Sequence, residues 1–132
     1  MLPPMTTKTF HGSCKCGAVN FEADVDWSRG TTKCNCTSCW KRRWWSVKVK
    51  PEQFRPLSGD DALSQKGGFC RHCGVTPYAE VEAAEWNDGA YVALNVATLD
   101  ELDPRELMAA PIQFCDGRND DWFHKPEFTA HL

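Results

Sequence analysis

Seven of the eight cysteines lie in three short clusters, and closely spaced thiols are typical ligands of zinc. The clusters are Cys14 and Cys16, then Cys34, Cys36 and Cys39, then Cys70 and Cys73. A structural zinc ion takes four ligands in a tetrahedron. The two pairs are therefore predicted to form one closed site, the four-cysteine cluster of Cys14, Cys16, Cys70 and Cys73. A second zinc site, the three-cysteine cluster, is predicted at Cys34, Cys36 and Cys39.

The two predicted sites differ in the chemistry that they allow. A closed site stabilises the fold, whereas a site with three protein ligands also binds a substrate atom or water. A soft ligand such as a small thiol suits the fourth position of a zinc ion held by three thiolates. Two alternatives stay open at this point. The ligands can be grouped differently, for instance as Cys14, Cys16, Cys34 and Cys36. Alternatively, Cys115, an Asp or a His can complete the second site and make both zinc ions structural.

Length and charge restrict the class of protein. The chain has 132 residues, which predicts a single domain over residues 1–132. Its net charge of −3 argues against a nucleic-acid binder, since such proteins usually carry a basic excess. It has no run of about 18 apolar residues, so no contact with a membrane interior is predicted. Residues 1–5 do not resemble a signal peptide, which indicates a cytoplasmic protein whose thiols stay reduced.

The elements that position the cysteines are predicted to be mainly β. Residues 18–23 alternate apolar and polar side chains, as a half-buried strand does. Residues 45–49 place a tryptophan and two valines on one face of another strand. Two more strands, over residues 76–81 and 90–96, flank the turn sequence Asn87-Asp88-Gly89. Strands separated by such turns predict antiparallel sheets.

One short helix is predicted near the end of the chain. Asp103 is a suitable N-cap, Pro104 suits the first helical position, and Glu106 completes a capping box. Pro111 ends the helix, because proline has no N–H to donate. The fold predicted from the residues is therefore mainly β, with antiparallel sheets and one short helix.

Three segments around the cysteines resemble the motifs of one known family. They are Gly12-Ser13-Cys14-Lys15-Cys16-Gly17, Cys34-Asn35-Cys36-Thr37-Ser38-Cys39 and Phe69-Cys70-Arg71-His72-Cys73-Gly74. In these motifs the chain resembles the glutathione-dependent formaldehyde-activating enzyme and centromere protein V family, over residues 10–124. Because three cysteine motifs occur in the same order, the resemblance is specific.

The resemblance has implications for fold, metal and activity. It implies a β-tent (Mss-four-like) arrangement of antiparallel sheets held by zinc. It also implies that the four-cysteine cluster is structural and that Cys34, Cys36 and Cys39 hold zinc at a catalytic site. Members are usually classed as carbon–sulfur lyases, after an activity that joins glutathione to formaldehyde. A shared fold does not by itself define the substrate.

Several further residues are candidates for binding or proton transfer. Arg42 and Arg43 follow the three-cysteine cluster, and arginine holds carboxylates through paired hydrogen bonds. They are predicted to bind the carboxylates of a glutathione-like thiol, and a solvated basic segment is the alternative. His124 follows two aspartates and can act as an acid or base, or simply belong to a C-terminal loop. Cys115 is predicted to be a buried, small apolar side chain.

The sequence therefore predicts a zinc-dependent enzyme of the carbon–sulfur lyase type, which acts on the adduct of a small thiol such as glutathione. One alternative is a non-catalytic zinc module that binds a protein partner. Another is a zinc–thiolate redox sensor. Only the enzyme requires an accessible fourth ligand position at the three-cysteine cluster, which separates it from the other two hypotheses.

Overall fold

The computed structural model describes residues 7–65 and 68–132, and its regular structure is mainly β. This part of the chain forms eight strands and two short α-helices. The strands are β1 (Lys8–Ser13), β2 (Asn20–Val25), β3 (Thr31–Cys34), β4 (Trp45–Val49), β5 (Phe54–Ser58), β6 (Tyr78–Val81), β7 (Tyr91–Asn95) and β8 (Ile112–Cys115). The helices are α1 (Thr37–Arg42) and α2 (Pro104–Ala109). The mainly β prediction is confirmed.

The strands form two sheets. The first has three antiparallel strands in the order β1-β2-β5. The second has five strands in the order β6-β7-β4-β3-β8. All neighbours in the second sheet are antiparallel except β3 and β8, which pair in parallel with Cys34 beside Cys115. The predicted antiparallel arrangement is therefore confirmed for every strand pair but this one.

Side chains from both sheets share one core. The alternation predicted for residues 18–23 is observed in β2, which starts and ends two residues later. Phe21, Ala23 and Val25 are fully buried, while the residues between them are partly exposed. Phe21 packs edge-on against Tyr78 of the other sheet, with ring centroids 5.5 Å apart. Leu94 on β7 is also fully buried. Burial of a side chain as large as Phe21, Val25 or Leu94 contributes about 1.5–3 kcal/mol, so the two sheets stabilise one another.

The helices depart in part from the prediction. Helix α2 begins where expected, and the Asp103 carboxylate accepts a hydrogen bond from the N–H of Arg105. The predicted capping box is absent from it, because the Glu106 carboxylate accepts from Lys8 Nζ at 2.7 Å instead. The prediction of one helix was wrong, since α1 is a second. Both helices have six residues, too few to show a helical pattern of apolar side chains, but only α2 begins with the usual Asp N-cap and proline, whereas the N-cap of α1 is Cys36.

Neither helix of the described residues has the length and apolar character needed to cross a membrane.

Candidate metal centres and the adjoining cavity

The four-cysteine cluster joins two turns that are distant in the chain. Cys14 and Cys16 lie just after β1, and Cys70 and Cys73 lie in a turn that precedes β6. Their four Sγ atoms all lie within 4.8 Å of one another. The Sγ of Cys16 is 3.6 Å from that of Cys14 and 3.7 Å from that of Cys70. Since a zinc tetrahedron with Zn–S bonds of about 2.3 Å has edges of about 3.8 Å, this cluster can hold zinc.

The two turns of this cluster have the same local geometry. Gly17 and Gly74 directly follow the second cysteine of each pair, and their φ angles are 80° and 81°. Glycine adopts this left-handed conformation without steric cost. The N–H of Gly17 donates to the carbonyl of Cys14 at 3.1 Å, and the N–H of Gly74 donates to that of Cys70 at 2.7 Å. Each turn therefore presents two sulfurs towards the other turn.

Backbone donors favour the thiolate form of Cys14 and Cys73 in the four-cysteine cluster. At Cys16 the N–H of Ala18 lowers the pKa, but burial and the neighbouring thiols outweigh it and raise the pKa to about 11. Cys14 and Cys70 are buried, and the N–H of Val19 donates to the Cys14 sulfur at 3.3 Å. Burial raises the pKa of Cys73, but the N–H of Val75 and the neighbouring thiols outweigh it and lower the pKa to about 6. Zinc requires deprotonated thiols, so this environment suits a structural metal.

The three-cysteine cluster comes from one short segment. Cys34 ends β3, Cys36 is the N-cap of α1, and Cys39 lies within α1. Their Sγ atoms also lie within 4.8 Å of one another. The N–H of Cys36 donates to the Cys34 sulfur and the N–H of Cys39 donates to the Cys36 sulfur, both at 3.4 Å. The start of a helix at Cys36 therefore brings the third thiol back to the first two.

The charges in this cluster favour a bound cation. Burial and the adjacent Cys36 raise the pKa of Cys39 to about 12, and burial also raises the pKa of Cys34. Burial opposes ionisation of Cys36 too, but its hydrogen bonds from Cys39 lower its pKa. Three thiolates at this spacing repel one another, and a divalent cation removes that repulsion. The donor set fits zinc, which thiolates favour.

Cys115 lies beside the three-cysteine cluster without joining it. It is 9% exposed, which agrees with a small buried side chain, and burial raises the pKa of its thiol. Across residues 7–65 and 68–132, no other His, Cys, Asp or Glu places a ligand atom within 4.8 Å of all three sulfurs. The described part of the chain therefore presents three ligands here and four at the other cluster.

The turn after β8 is hydrogen-bonded to the loop that carries Cys34 and Cys36. Asn35 lies between two of the thiols and is 8% exposed. Its Nδ2 donates to Asp116 Oδ1 at 2.8 Å, and its Oδ1 accepts from the N–H of Arg118 at 3.0 Å. Asn35 was not among the predicted site residues, because a residue between two cysteines carries no signal of the distant turn that it will bind. Through these hydrogen bonds, the turn after β8 fixes the position of the segment that carries the three-cysteine cluster.

Gly117, in that same turn, lies directly against the cluster. A Cβ atom added at Gly117 would lie 2.7 Å from the Cys34 sulfur and 2.7 Å from the ring of Trp122. Carbon and sulfur do not approach so closely without a shift of one of them. Only glycine therefore fits between Cys34 and Trp122.

A cavity of about 120 Å³ adjoins the three-cysteine cluster. It is lined by two of the cysteines, two cations, three tryptophans and a leucine, namely Cys34, Cys39, Lys33, Arg43, Trp40, Trp44, Trp45 and Leu132. Burial lowers the pKa of Lys33, and the positive charge of Arg43 lowers it further. The cavity thus combines soft sulfur donors, positive charge and aromatic walls.

The two predicted arginines lie in different places. Arg43 lines the cavity, whereas the guanidinium carbon of Arg42 lies 5.0 Å from the ring centroid of Trp44. Arg43 ends α1 with φ of 55°, a left-handed conformation that costs a residue with a Cβ about 1–2 kcal/mol. Lys33, the second cation of the cavity, was missed. A single lysine before a cysteine cannot be distinguished by sequence from an ordinary surface lysine.

The structure brings His124 together with a carboxylate. His124 Nδ1 lies 2.9 Å from Asp121 Oδ1, and the histidine side chain is 80% exposed. Neither residue lines the cavity. The predicted acid–base pair therefore exists as a surface pair on the turn that follows β8.

The chain is similar to known proteins in sequence and in fold. A family model described as glutathione-dependent formaldehyde-activating enzyme matches residues 9–116, a range that contains all eight cysteines. The fold is similar to the crystal structure of a Rhodobacter sphaeroides protein, with a TM-score of 0.61 and 27% sequence identity. That match covers 78% of this chain and 99% of the other. A search of curated proteins found no match.

Proposed function

Since the chain belongs to the family of glutathione-dependent formaldehyde-activating enzymes, we propose that it is a zinc-dependent enzyme of the carbon–sulfur lyase type. Its proposed substrates are a glutathione-like thiol and a small aldehyde such as formaldehyde. One observation carries the proposal, namely that the three-cysteine cluster adjoins a cavity with two cations. A purely structural zinc site needs neither a cavity nor charges beside it.

The residues that would hold zinc have separate roles in this proposal. Cys14, Cys16, Cys70 and Cys73 hold a structural ion, and Cys34, Cys36 and Cys39 hold a second ion at the catalytic site. A zinc ion held by three thiolates accepts a soft fourth ligand and favours the thiolate form of a bound thiol.

The other residues of the cavity bind and orient the thiol. Lys33 and Arg43 hold its carboxylates, because charge-assisted hydrogen bonds to carboxylates are the strongest that these side chains make. Trp40 and Trp45 form walls that exclude water from the reacting atoms. Arg42 packs on Trp44 and adds positive charge outside the cavity.

The proposed reaction needs no reagent other than the thiol and the aldehyde. The sulfur of the thiol attacks the aldehyde carbon and forms one C–S bond. The π electrons of the carbonyl move to its oxygen, which takes up the proton that the thiol loses. The product is an S-hydroxymethyl adduct, and the reverse reaction returns the thiol and the aldehyde.

The proposal extends to fold and location. Residues 1–132 form one domain with a β-tent (Mss-four-like) fold that the four-cysteine zinc site holds together. The proposal of one domain is supported by the single core that both sheets share. The proposed location is the cytoplasm, where thiols stay reduced, and the eight cysteines are free thiols rather than disulfides.

Exchange spectroscopy tests the reaction. The zinc-loaded protein is added to glutathione and formaldehyde, and NMR measures the rate at which free aldehyde and adduct interconvert. Catalysis at low protein concentration is expected for the parent and is expected to be lost in Cys36→Ser. A Cys36→Ser variant that is folded and fully active, or a parent that does not accelerate exchange, would contradict the proposal.

A matched pair of variants tests the assigned cations. Arg43→Ala should raise KM for glutathione about tenfold or more, since a hydrogen bond to a charged group contributes about 1.5–3 kcal/mol. Arg42→Ala removes the same charge from outside the cavity and should raise KM less. Equal effects of the two substitutions would show that net charge matters and that the position of Arg43 does not.

A second hypothesis, the non-catalytic module, is favoured by one feature. Three aromatic side chains near the end of the chain are exposed, with Trp122 at 46%, Phe123 at 86% and Phe128 at 68%. Exposed aromatic residues are enriched where proteins bind one another. A protein that holds two zinc ions, does not accelerate the exchange and does not bind glutathione would support this hypothesis over the enzyme.

A further inference from the structure

Residues 131–132 lie against both cations of the cavity. Arg43 Nη1 donates to the carbonyl oxygen of His131 at 2.6 Å. Lys33 Nζ donates to the backbone oxygen of Leu132 at 3.0 Å, and Leu132 is part of the cavity wall. The imidazole of His131 also packs edge-on against Trp40, with ring centroids 4.8 Å apart. Two successive residues of the chain therefore occupy the donors that the proposed function assigns to a substrate.

The contact with the His131 carbonyl does not satisfy the positive charge of Arg43 fully. Within residues 7–65 and 68–132, no Asp or Glu side chain forms an ion pair with Lys33 or Arg43. A hydrogen bond from a cation to a carboxylate is stronger than one to a neutral peptide carbonyl such as that of His131. A ligand that brings a carboxylate to Arg43 would thus bind this donor more strongly than the chain itself does.

The size of the cavity leads to the same conclusion. Sites for small molecules commonly have about 300–1,000 Å³, whereas this cavity has about 120 Å³ while Leu132 forms part of its wall. A tripeptide thiol does not fit beside Leu132 in that volume. The same donors become accessible, and the volume grows, when residues 131–132 move away.

The segment is held by few contacts of its own backbone. The N–H of Leu132 donates to the carbonyl of Thr129 at 3.0 Å, and His131 is exposed. Phe128, just before this turn, is 68% exposed and so is not anchored in the core. Release of residues 129–132 therefore breaks few contacts other than those with Lys33, Arg43 and Trp40.

We propose that residues 131–132 act as a self-ligand of the cavity, and that a peptide-like thiol bearing a carboxylate must displace them to bind. The identity of the thiol rests on the proposed function, whereas the placement of the segment rests on the contacts alone. The two backbone oxygens mimic the oxygens that a short peptide offers to Arg43 and Lys33. The segment thus lowers the affinity of the site for its substrate and selects ligands that have a carboxylate.

S-methylglutathione is a suitable probe, because it keeps both carboxylates of glutathione but has no thiol. Its binding to the zinc-loaded protein is measured by calorimetry. A variant that lacks residues 129–132 should bind it at least about fivefold more tightly than the parent, since a site that is open only part of the time loses apparent affinity in proportion. His131→Ala, which removes only the ring contact with Trp40, should give a smaller increase.

The mobility of the segment gives an independent readout. ¹⁵N relaxation of the Leu132 amide should report an ordered residue in the free parent and a mobile one when S-methylglutathione is bound. Arg43→Ala should release the segment without any ligand, whereas Arg42→Ala should leave it ordered. Because these measurements follow the segment directly, they do not depend on catalysis.

The outcomes separate this inference from the proposed function. Equal affinity of the parent and the shortened variant, or an ordered Leu132 in the saturated complex, would overturn the self-ligand. Absence of binding to the shortened variant would overturn it too, since no ligand would then compete with the segment. Displacement of the segment by S-methylglutathione, in a protein that does not accelerate aldehyde exchange, would support the inference and refute the proposed activity.

Discussion

The four-cysteine cluster takes its ligands from two separate turns, with Cys16 and Cys70 lying 54 residues apart, whereas the three-cysteine cluster takes its ligands from residues 34–39 alone. Two thiols of the first cluster are buried in the core, and two of the second line a cavity. The first therefore connects distant parts of the chain, while the second connects a strand end to the helix next to it.

This difference predicts separate contributions to stability and to function. A crosslink between distant segments removes more conformational freedom from the unfolded chain than one within a short segment. The four-cysteine cluster should thus contribute most of the stabilisation that metal provides. The three-cysteine cluster is free to bind a ligand, because little of the fold depends on it.

Loss of one ligand from the four-cysteine cluster should prevent folding. A four-thiolate zinc site contributes on the order of 10–16 kcal/mol in small domains, and the total stability of a domain is about 5–15 kcal/mol. Cys14→Ala or Cys73→Ala should therefore give insoluble protein, or protein without a cooperative thermal transition in calorimetry. Cys115→Ala is the matched control and should cost only about 1 kcal/mol. A Cys73→Ala protein that melts like the parent while holding one zinc less would refute the structural role.

Loss of a ligand from the three-cysteine cluster should leave the fold intact. Cys36→Ser should be soluble, should melt cooperatively and should hold one zinc per chain where the parent holds two. Zinc content by atomic emission and the melting temperature by calorimetry check this. If Cys36→Ser loses its structure as completely as Cys14→Ala, the two clusters do not differ in the way proposed.

Two glycine substitutions should each weaken a different cluster. In Gly117→Ala the new Cβ lies 2.7 Å from the Cys34 sulfur, so metal affinity at the three-cysteine cluster should fall about 10–100-fold, as for other supports of metal ligands. In Gly74→Ala nothing lies within 4 Å of the new Cβ, but φ is 81°. That conformational strain costs about 1–2 kcal/mol and should lower the metal affinity of the four-cysteine cluster. Competition with a chelator measures the metal affinity of each cluster. If the same cluster releases its metal first in both variants, the prediction is contradicted.

Acid should weaken the sheet that carries Cys14 through Asp24. The Arg55 guanidinium donates to Asp24 at 2.8 Å, and with the Thr9 hydroxyl it holds the pKa of that carboxyl at about 2. Because this pKa lies below the unfolded value of about 3.9, the pair stabilises the fold above about pH 4 and is lost as the pH falls towards 2. Denaturant unfolding should therefore show a smaller loss of stability between pH 4 and pH 2 for Asp24→Asn than for the parent. Parallel pH profiles of the two proteins would show that this pair is not formed in solution.

The elements with a clear local signal were predicted correctly from the sequence. The strand predicted over residues 18–23 is observed as β2 over residues 20–25, because Phe21 and Ala23 alternate with polar residues. Strands β6 and β7 follow from the turn chemistry of Gly89, whose φ is 104°. Helix α1 has six residues, as α2 does, but it was missed because its N-cap is Cys36 and not one of the usual N-cap residues. The parallel pairing of β3 with β8 has no signature in either strand.

For the candidate sites, the spacing of the cysteines in the sequence predicted which thiols share a metal and left other groupings open. Ligand number and spacing grouped the seven cysteines as the structure places them, since zinc accepts four ligands and thiols two or three residues apart lie within reach of one ion. The resemblance of three cysteine motifs likewise led to the family that the comparison identified.

Only the tertiary structure decided what surrounds the three-cysteine cluster. Asn35 bonds to the turn after β8, Lys33 and Arg43 face one cavity, and residues 131–132 occupy those cations. Each of these contacts joins residues about 80 or more positions apart in the chain, except the pair of Lys33 and Arg43. Spacing along a sequence reports which side chains share a turn or a strand face. It does not report which distant segments pack together, because that depends on how the two sheets bury their apolar faces against each other.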